Sequence, residues 1–368
     1  MMRSTLAAAL AAAAFSIAGP AGAQFLASDL QYIPGVAHTA GEGASRWRSD
    51  VYITNVESDV AVDVALVYLP TGGVSNTNRF TTRGTWLGAR EADGWGHFNE
   101  DLADIPPGGT VVLRDVVGEY WADEAGVSNS GAIVVFAWEA GTLADDGTRT
   151  ARNVIVNSRV FTPMTFFLED SENEGEFVQR TGTYGQTMPG VPWYNLADPS
   201  AVNDERDFSF QLLAGAAADD EFRYNLGILN ASDPLTTITL AVSPVQGNGE
   251  PFTDANGNPV VRLVTLPPMA HVQYNDVLFS LFNFASAPDD ITIKVEFVTW
   301  NSGSALPIVG MTVYGTMIDN RTNDPTAILP AFGFPYDVEC QWPPAADGAA
   351  KRAGMPTVQR RPLEIPAR

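Results

Sequence analysis

Three histidines, His38, His97 and His271, are the first residues to test for chemistry. No two of them stand at an HxH or HExxH spacing that would hold a metal ion. His97 sits between Trp95 and the Glu100-Asp101 pair and is the one placed to act as a base. His271, in VTLPPMAHVQY, falls at the start of an expected strand and is expected at the surface or partly packed. No GxSxG elbow, Walker loop or dinucleotide fingerprint occurs. Serine hydrolysis needs a nucleophile, a base and an orienting group brought together, and nothing local gathers them. The expectation is that the chain is not an enzyme.

Clustered oxygen ligands would suit calcium, which takes about six to eight of them. LEDSENEGEF (Leu168–Phe177) groups Glu169, Asp170, Glu172, Glu174 and Glu176, although a solvated loop tip is the simpler reading. DANGNP (Asp254–Pro259) is similar to the start of an EF-hand loop, but Pro259 stands where glycine is needed and no glutamate follows at the twelfth place. A hairpin turn accounts for it. Ca²⁺ is the only cofactor the sequence suggests. Aromatic rings on loops could instead stack on sugar faces. Trp86 and Trp95 lie in one loop, and Trp193-Tyr194 follow Pro192; packing against the body of the protein is the competing reading. Trp138 and Trp300 end matching strands and are expected in the core.

The elements that position these residues are written twice. Arg48–Pro70 aligns with the segment from Arg223 without a gap, so that Arg48 falls on Arg223 and Asn55 on Asn230, both at offset 175 (223−48 and 230−55). Ile105–Val117 lies over Leu266–Leu278, matching Asp115 to Asp276 at offset 161 (276−115). Gln31 and Gly35 match Gln211 and Gly215 at offset 180 (211−31). The changes of offset place extra residues of the first copy in Thr39–Trp47 and Thr81–Asp101, as surface loops tolerate. Runs such as VAVDVALVYL (Val60–Leu69) and ITIKVEFVTW (Ile291–Trp300) alternate in the two-residue period of strands. Turn formers, among them Pro106-Pro-Gly-Gly and Asn256-Gly257, separate them. GEYWADEAG (Gly118–Gly126) is the one stretch expected to make a turn or two of helix. The pattern predicts an all-β protein: two tandem antiparallel Ig-like β-sandwich domains from an internal duplication, over 24–200 and 201–336.

SRVFTP (Ser158–Pro163), GTYGQTMPG (Gly182–Gly190), RYNLGILN (Arg223–Asn230) and VYGTMIDNRTNDPTAILP (Val313–Pro330) carry a resemblance. The chain resembles a group of uncharacterised exported bacterial proteins built of paired β-sandwich repeats. That resemblance implies the fold and an extracellular or envelope setting, and it brings no catalytic residues. Asp319, Asn320 and Asp324 bond readily to their own backbone and are expected to order a closing loop. Arg48 and Arg223 are expected to tie loop oxygens at equivalent places. Gly182, Gly185 and Gly190 are expected at a tight crossover out of the first domain.

Met1–Ala23 combines Arg3, an apolar run from Leu6 to Ile17 and Ala21-Gly22-Ala23, the pattern of a signal peptide cleaved before Gln24. Secretion, or a periplasmic or cell-surface location, is expected, with no transmembrane segment in the mature chain. The segment 337–368, with Arg352, Arg360 and Arg361, has the composition of a flexible tail. Cys340 is the only cysteine, so no intramolecular disulfide is available. A net charge of −22 argues against nucleic acid as a partner, since a polyanion is repelled. The sequence names no partner; an envelope protein or a polysaccharide is compatible with it. The functional expectation is a non-catalytic exported protein of structural, adhesive or accessory role; the alternative is a carbohydrate-binding module using the loop tryptophans.

Overall fold

The computed structural model describes residues 26–41, 45–77, 96–97, 102–121, 129–144, 149–169, 177–199, 209–284, 287–303, 309–330, 336–339 and 359–362. The first half contains β1 (Leu30–Ala37), β2 (Thr39–Ala40), β3 (Arg46–Asn55), β4 (Val62–Pro70), β5 (Gly96–His97) and β6 (Thr110–Leu113). It continues with α1 (Val116–Tyr120), β7 (Ser130–Glu139), β8 (Val154–Glu169), β9 (Phe177–Pro189) and β10 (Val191–Pro192). The second half contains β11 (Phe210–Ala218), β12 (Phe222–Asn230), β13 (Thr236–Val245), β14 (Arg262–Leu266) and β15 (His271–Tyr274). After these come α2 (Val277–Ser280), β16 (Ala287–Ser302), β17 (Met311–Asp319) and β18 (Pro325–Ile328). In the expected tail, β19 (Tyr336–Glu339) pairs with β20 (Gln359–Pro362).

Nearly everything described is antiparallel β-structure, arranged as sandwiches. The first half has sheets β10-β1-β7-β4-β5 and β2-β3-β8-β9, with β6 also on β3. The second has β11-β16-β13-β14 and β15-β12-β17-β18. Strand orders therefore coincide: β1-β7-β4-β5 with β11-β16-β13-β14, and β6-β3-β8-β9 with β15-β12-β17-β18. Alternation sets the packing. In β13, Ile238, Leu240 and Val242 are buried while their neighbours are partly exposed. Ile33, Val51, Val64, Leu66, Ile133 and Val135 fill the first core, and Tyr224, Leu226, Ile228, Leu240, Ile293 and Val313 are among those filling the second.

Matched polar positions do matched work. Asn55 ends β3 and Asn230 ends β12, both fully buried. Asn55 Nδ2 donates to the carbonyls of Val60 and Ile105, and its Oδ1 accepts from Glu57 N–H. Asn230 Nδ2 donates to Thr236, Leu266 and Pro267, and its Oδ1 accepts from Ser232 N–H. Asp115 and Asp276 both precede the short helices with left-handed backbones, at φ 44° and 48°. Their N–H groups donate to Asp50 Oδ1 and Asn225 Oδ1, themselves 175 apart.

A third apolar layer lies outside both cores, where the outward face of β1, β4 and β7 meets the second half. Tyr32, Val67, Leu69, Val134, Phe136 and Trp138 pack there with Leu229, Ala231 and Met269. This double coverage is why β4 is buried along its whole length. The corresponding face of the second half is more polar at its centre, although Phe210, Leu212 and Leu263 flank that centre. The ungapped match of Arg48–Pro70 ends at the turn after Asn55, because β4 and β13 correspond at an offset of 176 (238−62; Val62 faces Ile105 as Ile238 faces Leu266). Val67 pairs with Val134 and Ala65 with Phe136; the rungs in their place pair Ser243 with Lys294 and Ala241 with Glu296. Lys294 and Glu296 form an ion pair at 2.8 Å.

Two expectations fail here for register reasons. Trp138 is buried, opposite Asp63 on the outward face, but Trp300 is 42% exposed and lies opposite Ile238 on the inward side. A β-bulge inserts Val298 between Phe297 and Thr299, so the two tryptophans are one residue out of step, and one residue changes the face. Gly182 and Gly185 lie inside β9, opposite Met164 and Phe161, rather than at a crossover. Only Gly190 sits at the exit, where a side chain would collide with Gln31.

Candidate functional site

The junction between the sandwiches is built from main chain as well as side chains. Gly72 and Gly73 N–H donate to the His271 carbonyl, and Asn76 Nδ2 donates to that of Met269. Ala197 and Met311 exchange both backbone hydrogen bonds, and Tyr32 O–H donates to the Ala231 carbonyl. Tyr314 of β17 fills the space between the halves because Gly35 and Gly227 leave room for its ring. A Cβ on Gly227 would fall inside that ring.

His271 belongs to this junction and is fully buried, contrary to its expected surface position. Its ring stacks on Tyr314 at 6.0 Å with 4° between the planes. Nδ1 lies 2.5 Å from Thr71 Oγ1, and the imidazole also hydrogen-bonds the Pro34 carbonyl. Desolvation pushes its pKa down to about 4, so the ring is neutral. Thr71 and Pro34 come from the first sandwich and Tyr314 from a later strand of the second, and this explains why the local pattern around His271 did not reveal its burial.

Beside the clasp opens a cleft of about 280 Å³. One wall comes from the first sandwich: the end of β1, β2, Trp47 of β3, Gln186 and Met188 of β9. Asn225, Gln273, Asn275, Tyr314 and Thr316 of the second form the other. Gln186 Nε2 donates to Thr316 Oγ1 across the gap at 3.2 Å, while its Oε1 is buried without a protein partner. Tyr314 O–H donates to Gln273 Oε1 at 3.0 Å, and Gln273 Nε2 donates to Asn275 Oδ1 at 2.8 Å. Burial raises the Tyr314 pKa, so the phenol stays neutral. Among the described residues, no Asp, Glu, Lys, Arg or His lines the cleft.

Among the described residues, none of the candidate ligand or metal residues singled out from the sequence lines the cleft. Trp86 and Trp95, the Glu169–Glu176 side chains and Cys340 lie outside the described residues; His97 contributes its backbone to β5, opposite Leu66. Trp193 packs on the shared apolar layer and bonds Asp29, and Tyr194 meets it edge-on at 5.7 Å while donating to the Ala27 carbonyl. Asp254 closes its turn by accepting from Asn256 and Asn258 N–H. Asp319 Oδ1 accepts from Arg321 and Thr322 N–H, and Asp324 N–H donates to Thr322 Oγ1, ordering the loop between β17 and β18. Arg223 ties that loop by donating to Asn320 and Asn323 Oδ1, at 2.6 and 3.1 Å. Arg48, on the matching rung, lies 3.7 Å from Asp115, which also meets His38 Nδ1 at 2.9 Å. Among the described residues, no group of three His, Cys, Asp or Glu could hold a metal ion, and no helix is long and apolar enough to cross a membrane.

Trp47, Gln186, Asn225 and Asn275 were not singled out from the sequence as site residues. One signal pointed toward them: Thr39, Ala40 and Trp47, at the two ends of the extra segment of the first half, line the cleft. Compared with known proteins, the chain matches no family model, and no curated protein matches it in sequence.

Proposed function

We propose that the chain is a non-catalytic exported protein, two Ig-like sandwiches derived by duplication, with a structural, adhesive or accessory role at the cell envelope or outside the cell. The observation that carries this reading is the use made of the recurring polar residues. Asn55 and Asn230, Asp115 and Asp276, Asp50 and Asn225 hold backbone groups of the framework. Their recurrence is accounted for by folding without a shared reaction. The leader-like segment 1–23 and the resemblance to exported bacterial repeat proteins support the location. Expression of the full chain in a bacterial host tests it: the exported form should begin at Gln24 by mass spectrometry. Uncleaved protein retained in the cytosol would refute export.

A second reading, carbohydrate binding, is favoured by the uncharged amide-lined cleft, with Trp47 at its mouth. Trp193 supports it less, being engaged with Asp29 and the apolar layer. Calcium assistance would appear as a melting temperature lowered by a chelator; an unchanged melt removes it.

A further inference from the structure

We propose that the cleft between the sandwiches binds an uncharged saccharide of one or two sugar units, with Trp47 as stacking surface and Gln186, Asn225 and Asn275 as hydroxyl partners. This rests on the carbohydrate-binding reading and moves its site from the loop tryptophans to the junction.

Charge argues first. At 17% charged residues, a lining of 17 residues would include about three charged side chains; the described lining includes none. Without a cation the cleft cannot compensate a carboxylate or phosphate, and a net charge of −22 repels anions from the whole surface. Without a carboxylate it offers little to a metal ion or an amine. What remains are planar amides and hydroxyls, each able to accept and donate, as adjacent sugar hydroxyls require. Several of these groups have capacity left. Gln186 Oε1 is a buried acceptor with no protein partner. Exchanging the amide's oxygen and nitrogen would turn an orphan acceptor into an orphan donor, so one bond is missing either way. Such an atom is destabilising unless water or a ligand hydroxyl meets it. Asn225 and Asn275, both on the lining, use their Oδ1 atoms on Asp276 N–H and Gln273, which leaves their Nδ2 groups as the donors for a ligand.

Size and position agree. About 280 Å³ falls just under the ~300–1,000 Å³ of drug-sized ligand pockets, which suits a small sugar. Trp47 is half-buried at the mouth, and Gly41 abuts its Nε1 edge, where a larger side chain would collide. An indole face is an apolar plate for the axial C–H groups of a pyranose. The second wall is held by the Tyr314–Gln273–Asn275 chain of hydrogen bonds, so the amides are oriented before a ligand arrives.

Calorimetric titration of the purified full-length protein tests this, with glucose, galactose, mannose, N-acetylglucosamine and their disaccharides cellobiose, lactose, mannobiose and chitobiose. At least one should bind saturably at one site per chain. Trp47→Ala and Asn275→Ala should each weaken it about tenfold, the worth of one ring face or hydrogen bond. Trp300→Ala, in the second sandwich away from the cleft, should change nothing, and for a hexose that binds, the corresponding uronate should bind at least about tenfold more weakly. Melting curves check that the variants fold. Binding that survives both cleft variants, tighter binding of the uronate, preference for an uncharged Ala-Ser-Gly peptide, or silence across the panel overturns the proposal. Binding undiminished by the cleft variants but lost in Trp86→Ala or Trp95→Ala would overturn the site and leave the carbohydrate reading standing. Export is judged separately by the cleaved N-terminus.

Discussion

Acid should loosen the junction through His271. The folded chain holds this imidazole neutral, with a pKa of about 4, against 6.5 for the exposed side chain. Its folded value lies below its unfolded value, so the stabilisation is complete above pH 6.5. As the pH falls from 6.5 to 4, the unfolded chain takes up a proton that the folded chain refuses. At about 1.4 kcal/mol per pH unit, the loss across that window is about 3 kcal/mol; below pH 4 both states are protonated and the loss stops. The protein's many carboxylates also titrate there, so the measurement must be a difference. His271→Gln keeps an amide donor and acceptor and does not titrate. Urea unfolding of both proteins at pH 7, 5.5 and 4 should show wild type losing about 3 kcal/mol relative to the variant. A gap constant within about 0.5 kcal/mol, or one moving in favour of wild type, would refute the buried neutral clasp.

Two further substitutions probe the framework. Asn55→Ala and Asn230→Ala should each cost about 3 kcal/mol in urea unfolding, since each removes a buried amide that donates to at least two carbonyls and accepts from one N–H, and the two costs should add; a negligible loss at either site would refute the matched roles. Trp138→Ala should cost about 3–5 kcal/mol and Trp300→Ala about 1 kcal/mol or less, by thermal unfolding. Equal costs would contradict the one-residue displacement caused by Val298.

The strands were legible because alternation and turn residues are local, and Val60–Leu69 and Ile291–Trp300 stand where their patterns put them. The offset of 175 placed Asn55 with Asn230, and Arg48 with Arg223, on matching rungs. It could not show that a bulged residue cancels the match of Trp138 to Trp300. Burial supplied by the other half was also hidden. Nothing adjacent to His271 in sequence announces Thr71 and Pro34, which come from 200 and 237 residues away (271−71 and 271−34). The cleft is less legible still, since Trp47, Gln186 and Asn275 meet only after both sandwiches have folded and docked.

The contact between the sandwiches is head-to-tail: the face one presents differs from the face that receives it. Such contacts have no built-in end, and copies that keep both faces string into fibres. This chain weakens the second receiving face. Where the first sandwich carries Val134 and Phe136, the second carries Lys294 and Glu296, paired to each other and open to water. A neighbour docking there would have to dehydrate an ion pair without the apolar contacts that hold the first junction together. Two charged residues on one strand thus make this face a poorer seat for a further copy than the one that holds the junction.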